Sequence, residues 1–166
     1  MKYLLLAFSS FLAIALQMIT GNIFFLFNFL NISLILVAWW TIYHSRVRAL
    51  FFGSFTGLLF DYALGWPLGY NGFGLTLAVF IIGQSWDRFN TTDQPVARFL
   101  ILSASSLANS LSIFSLFWVT QRATSSAFLV SAVFQALITA GVGLLFFIIL
   151  DRYKSAQAYR ELGIRN

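Results

Sequence analysis

Apolar residues run along this chain in long unbroken blocks, and polar residues gather in short clusters between them. The blocks cover Tyr3 to Ile19, Ile23 to Tyr43, Ala49 to Leu64, Tyr70 to Trp86, Phe99 to Trp118 and Ser126 to Leu150. A helix that crosses a bilayer needs about 20 predominantly apolar residues, so the pattern predicts six transmembrane helices. None of the blocks alternates polar with apolar residues, as a membrane barrel strand would. The third block, at ~1.5 Å per residue, reaches roughly 24 Å against a hydrocarbon core of ~30 Å, a mismatch that local thinning or packing can absorb. The breaks carry turn chemistry. Thr20-Gly21-Asn22 separates the first two blocks, and Gly65-Trp66-Pro67-Leu68-Gly69 ends the third, where proline lacks the N–H and glycine frees the backbone.

Composition sharpens this picture. Of the 166 residues, 60% are hydrophobic and 9% charged, whereas a soluble domain carries about 25% charged residues. The expected organisation is a six-helix transmembrane domain over residues 1–150 and a short basic cytoplasmic tail over 151–166. The net charge of +5 is no nucleic-acid signature, because the cations are few and sit at block ends. With six crossings and Lys2 in the cytoplasm, nine of the ten basic residues fall on the cytoplasmic side and only Arg122 lies outside. The excess of basic residues in cytoplasmic loops therefore selects an orientation with both termini inside. Trp39, Trp40, Tyr43, Trp66, Tyr70, Trp86 and Trp118 fall at block ends, where interfacial aromatic belts lie. Lys2, Leu4-Leu5-Leu6 and Ala13-Ile14-Ala15 also fit a cleavable signal peptide; the orientation pattern closes with the first block retained.

The most informative stretch is the spacing of Gly53, Gly57, Asp61, Gly65, Pro67 and Gly69. Intervals of four place Gly53, Gly57 and Asp61 on one helix face. Small residues there allow a second helix to approach, so this is the expected packing and partner-binding face. Asp61 continues the stripe and should face protein or a polar cavity, since a carboxylate toward lipid is unfavourable. It reads either as an ion, proton or substrate group or as a capping and loop-anchoring residue for the Gly65 break. Arg122 is a candidate ion-pair partner.

The fifth block supplies a second constellation. Ser105, Asn109 and Ser112 share a face, which is either a polar wall around a small-molecule cavity or a set of interhelical hydrogen bonds. Asn22, Asn28 and Asn31 read as loop-end and packing residues, and Gly141 and Gly143 as close-packing positions in the sixth block. Arg152, Lys154, Arg160 and Arg165 form a basic tail suited to anionic headgroups. There is no cysteine, His44 has no ligand-spaced companion, and no catalytic set, phosphate loop or metal motif occurs. No enzyme activity and no cofactor are expected.

The run Phe51-Phe52-Gly53-Ser54-Phe55-Thr56-Gly57-Leu58-Leu59-Phe60-Asp61-Tyr62-Ala63-Leu64-Gly65-Trp66-Pro67-Leu68-Gly69 resembles the signature of the rod shape-determining protein MreD family. That signature is a glycine-spaced helix entering Gly-Leu-Leu-x-Asp and then a Gly-x-Pro-Leu-Gly turn. It covers about a tenth of the chain, and Gly57, Asp61, Gly65, Pro67 and Gly69 are the positions that carry over. The resemblance implies a multi-pass protein of the bacterial inner membrane that acts in the cell-wall elongation complex without catalysis. It implies association with the single-span periplasmic protein MreC and, through it, with the MreB filament and wall synthases. It also implies a six-helix fold similar to the substrate-binding subunits of energy-coupling-factor transporters. A vitamin-binding transporter subunit, with the fifth-block serines and Asn71 as ligand contacts, is the alternative from another functional class.

Overall fold

The computed structural model describes residues 8–19 except 9 and 13, then 29–43, 45–88, 94–120 and 127–161, with side chains to 154 except that of residue 87. Among these residues the regular structure is helical and there is no strand. The helices are α1 (Ser10–Ile19), α2 (Ile32–Tyr43), α3 (Arg46–Leu64), α4 (Tyr70–Arg88), α5 (Pro95–Val119) and α6 (Ala127–Glu161). Three of them, α3, α5 and α6, are long and apolar enough to cross a membrane unaided.

Several helix limits differ from the blocks, each for a local reason. α2 starts at Ile32, where the Asn31 side-chain oxygen accepts the Leu34 N–H at 2.9 Å and caps the helix; residues 23–28 of that block lie outside the described residues. The Asn31 N–H in turn donates to Thr139 Oγ1 on α6 at 3.0 Å. α5 opens at Pro95, four residues before the apolar block, since a proline in the first turn loses no intrahelical bond. α6 continues eleven residues beyond Leu150, to Glu161. Charged residues end an apolar block but do not end a helix, so residues 151–161 continue α6.

α3, α4, α5 and α6 pack consecutively, and α2 lies against α3 and α4 with a lighter contact to α6. α4 is the central element. Its Leu75 and Val79 join Leu34, Val37 and Phe52 in one apolar cluster, and its Ile82 joins Ala38, Leu102 and Phe147 in another. Trp40, expected at an interface, is buried and packs on Phe52 with ring centroids 5.2 Å apart. α1 is tied in by polar bonds: Ser10 Oγ lies 3.1 Å from Thr56 Oγ1 of α3, and Gln17 Oε1 accepts the Ser33 N–H and hydroxyl at the start of α2.

Polarity is inverted relative to a water-soluble bundle. Phe51, Phe55 and Tyr62 of α3 and Leu145 and Ile149 of α6 are exposed, while Ser105, Ser106, Asn109, Ser110 and Thr139 are buried. Water would penalise so continuous an apolar exterior, whereas a hydrocarbon surround requires polar side chains to face inward.

Candidate functional site

The glycine-spaced helix, the turn after it and the start of α4 form one constructed unit around Asp61. α3 ends at Gly65, whose left-handed backbone (φ 65°) brings its N–H to the Tyr62 carbonyl at 3.2 Å and the Trp66 N–H to the Asp61 carbonyl at 2.9 Å. This pair of bonds closes the last turn of a helix whose terminal carbonyls would otherwise lack donors. The chain passes through Pro67 and reverses at Gly69 (φ 106°), whose carbonyl accepts the Phe73 N–H at 2.8 Å. Gly69 thus occupies the cap position of α4, and it has no side chain with which to cap.

Asp61 supplies that cap from the neighbouring helix. Its Oδ2 accepts the Gly69 N–H at 2.8 Å and the Gly72 N–H at 3.4 Å. Its Oδ1 accepts the Asn71 N–H at 2.9 Å and the Asn71 side-chain Nδ2–H at 2.8 Å. Asn71 and Gly72 are the second and third residues of α4, the two whose N–H groups a cap side chain normally satisfies. The positive end of the α4 dipole adds to the attraction. Asp61 has no exposed surface (0%), and each of its carboxylate oxygens has more than one donor. No ion, proton path or second acid is needed to account for a buried carboxylate here. Arg122, considered as its ion-pair partner, lies outside the described residues.

The glycines make this approach sterically feasible. A Cβ on Gly57 would stand 2.4 Å from the Gly72 backbone and 2.5 Å from that of Asn71. One on Gly53 would meet Val79 Cγ2 at 2.9 Å and the Leu75 carbonyl at 3.3 Å. The small-residue face of α3 is therefore covered by the chain's own α4. This corrects its reading as the surface for a partner helix: close packing occurs there, but within the molecule. On the other side of α4, a Cβ on Gly74 would stand 2.4 Å from Asn109 Oδ1 of α5. The turn is docked onto α5 as well. Trp66 and Tyr70 both meet Phe117 edge-on, at 5.2 and 4.9 Å between centroids, and the Tyr70 hydroxyl lies 2.6 Å from Thr120 Oγ1.

Ser105, Asn109 and Ser112 are buried. Ser105 and Ser112 donate to carbonyls of their own helix, at Ile101 and Ala108, and all three are buried in helix packing. Both hydroxyls are thus spent within α5: a hydroxyl in a helix reaches the carbonyl four residues back as readily as a ligand. Gly143 is a close-packing position, since a Cβ there would meet Leu102 at 3.0 Å, but at Gly141 a Cβ would meet nothing within 4 Å.

A second cluster, not foreseen from the sequence, closes the opposite end of the bundle. Buried Arg98 of α5 forms an ion pair with Asp151 of α6 and lies 5.7 Å from the centre of the Trp86 ring on α4. The Tyr43 hydroxyl of α2 donates to the same Asp151 at 3.1 Å, and Lys154 Nζ sits 3.3 Å over the Tyr43 ring. Of the basic-tail residues, Arg152 and Lys154 are exposed. Arg160 falls within the helical backbone of α6 beyond the described side chains, and Arg165 lies outside the described residues. Comparison with protein-family models, curated proteins and solved structures gives no match in any of the three.

Proposed function

We propose that this chain is a non-catalytic scaffold of a bacterial inner membrane, acting in the cell-wall elongation complex as the resemblance of residues 51–69 to the MreD signature implies. In this reading the chain makes six crossings with both termini in the cytoplasm. The Asp61 turn then lies at the periplasmic side, and the Arg98–Asp151 cluster at the cytoplasmic side. A single-span periplasmic protein of the MreC kind is the partner, with the MreB filament and wall synthases reached through it.

The observation that carries the proposal is the complete use of Asp61 in capping α4. The acid that could have made this a carrier of ions or protons is instead a fastener between two helices. A fold so fastened presents fixed surfaces, which suits the holding of another membrane protein. The transporter-subunit alternative requires Ser105, Asn109, Ser112 and Asn71 on a cavity wall; the bonds of Ser105 and Ser112 within α5, that of Asn71 to Asp61 and the burial of Asn109 favour the scaffold.

The test is gentle purification of the tagged chain from its own membrane, followed by mass spectrometry of what accompanies it. A stoichiometric single-span protein with a large extracytoplasmic part is the expected result. A tightly held vitamin, or an ATPase module, would overturn the scaffold reading.

A further inference from the structure

Where α2 and α6 diverge, they leave a groove of about 240 Å³ lined only by apolar side chains, among them Ile35 and Trp39 of α2 and Val142 and Phe146 of α6. Its wholly apolar lining suits a hydrocarbon chain and offers no partner to a polar one. Its walls lead toward charge. Val142, Phe146, Leu150 and Lys154 recur every four residues along one side of α6. On the facing helix, Trp39 lies 6.3 Å from Tyr43, the ring over which the Lys154 ammonium sits. Val142 and Lys154 are about 18 Å apart along α6, close to the ~15 Å depth of one leaflet's hydrocarbon. The neighbouring carboxylate, Asp151, is already held by Arg98 and Tyr43, so an anion approaching Lys154 meets a neutralised acid.

We propose that this groove binds one anionic phospholipid of the leaflet at the Arg98–Asp151 end, with an acyl chain between Ile35 and Phe146 and the headgroup phosphate at Lys154. Trp39 and Tyr43 then stand at the depth where aromatic side chains favour the boundary of chain and headgroup. The proposal rests on the membrane embedding given above and not on the scaffold role, so a failure of the partner purification would leave it intact.

Native mass spectrometry of the full chain in detergent, titrated separately with palmitoyl-oleoyl phosphatidylglycerol and phosphatidylcholine, tests it. The expected result is a first phosphatidylglycerol bound about fivefold more tightly than phosphatidylcholine, the effect of one surface cation. Lys154→Gln, in a protein that keeps its native melting temperature, should abolish that preference, and Val142→Trp should weaken both lipids. Retention of the preference in Lys154→Gln would overturn the headgroup assignment. Equal binding of the two lipids by the native chain, or undiminished binding in a Val142→Trp protein that keeps its native melting temperature, would overturn the site.

Discussion

Each end of this bundle is closed by an aspartate that joins helices, and the two do so by different chemistry. Asp61 is wholly buried and is held by backbone N–H groups and one side-chain amide, all at the cap and first turn of α4 within eleven residues of it. Asp151 keeps 36% of its side-chain surface exposed and is held by a guanidinium 53 residues away and a phenol 108 residues away. The first arrangement fixes how one helix hairpin turns; the second fixes which distant helices meet. A buried carboxylate needs donors, and a helix N-terminus supplies them without introducing another charge. Near an aqueous boundary an ion pair can serve, and its contribution is reduced by solvent.

The contrast can be broken at either end. The largest effect belongs to the contact that permits the Asp61 cap. Gly57→Ala sets a Cβ against the α4 backbone and should destabilise the protein by about 3 kcal/mol, whereas Gly141→Ala, at an open position, should stay within about 0.5 kcal/mol; thermal unfolding of both in one detergent compares them. Next, Asp61→Ala strands the Asn71 and Gly72 N–H groups and should cost about 2–3 kcal/mol, with Asp61→Asn, which keeps one acceptor oxygen, between it and the native chain. At the other end, Arg98→Met leaves Asp151 to the Tyr43 hydroxyl and water. A loss of about 1–2 kcal/mol is expected, and Arg98→Met with Asp151→Leu should recover part of it. The smallest loss of a contact is Tyr70→Phe, which removes one hydrogen bond to Thr120 and should cost about 1 kcal/mol. A larger loss from Arg98→Met than from Asp61→Ala would reverse the ranking of the two ends.

The same contrast explains what could be read from the sequence. The Asp61 unit is local: four-residue spacing, a glycine stop, a proline turn and a second helix all lie between Gly53 and Gly74, so packing and capping were legible as one of two readings of Asp61. What spacing did not disclose was the owner of the opposing surface, and that helix is α4 itself. The Arg98 cluster was not legible because its members come from four helices, and nothing in the order of the chain pairs residue 98 with 151. The serines of α5 left two readings open for a different reason. Their period is the same whether the hydroxyls face a ligand or fold back to carbonyls of their own helix, and Ser105 and Ser112 fold back. The apolar block of α6 ends at the first charges while the helix runs on, since no glycine or proline falls between Leu150 and Gly163.

The most direct test of Asp61 as a cap is amide hydrogen exchange over the peptide from Gly69 to Gly74, in the native chain and in Asp61→Ala. If the carboxylate holds the first turn of α4, these amides exchange slowly in the native protein and at least ~10-fold faster in the variant, the ratio for a loss of ~1.4 kcal/mol or more in local opening. The Arg98→Met variant should leave the same peptide unchanged. Equal exchange in the native chain and Asp61→Ala would contradict the capping role and return Asp61 to the chemistry of ions and protons.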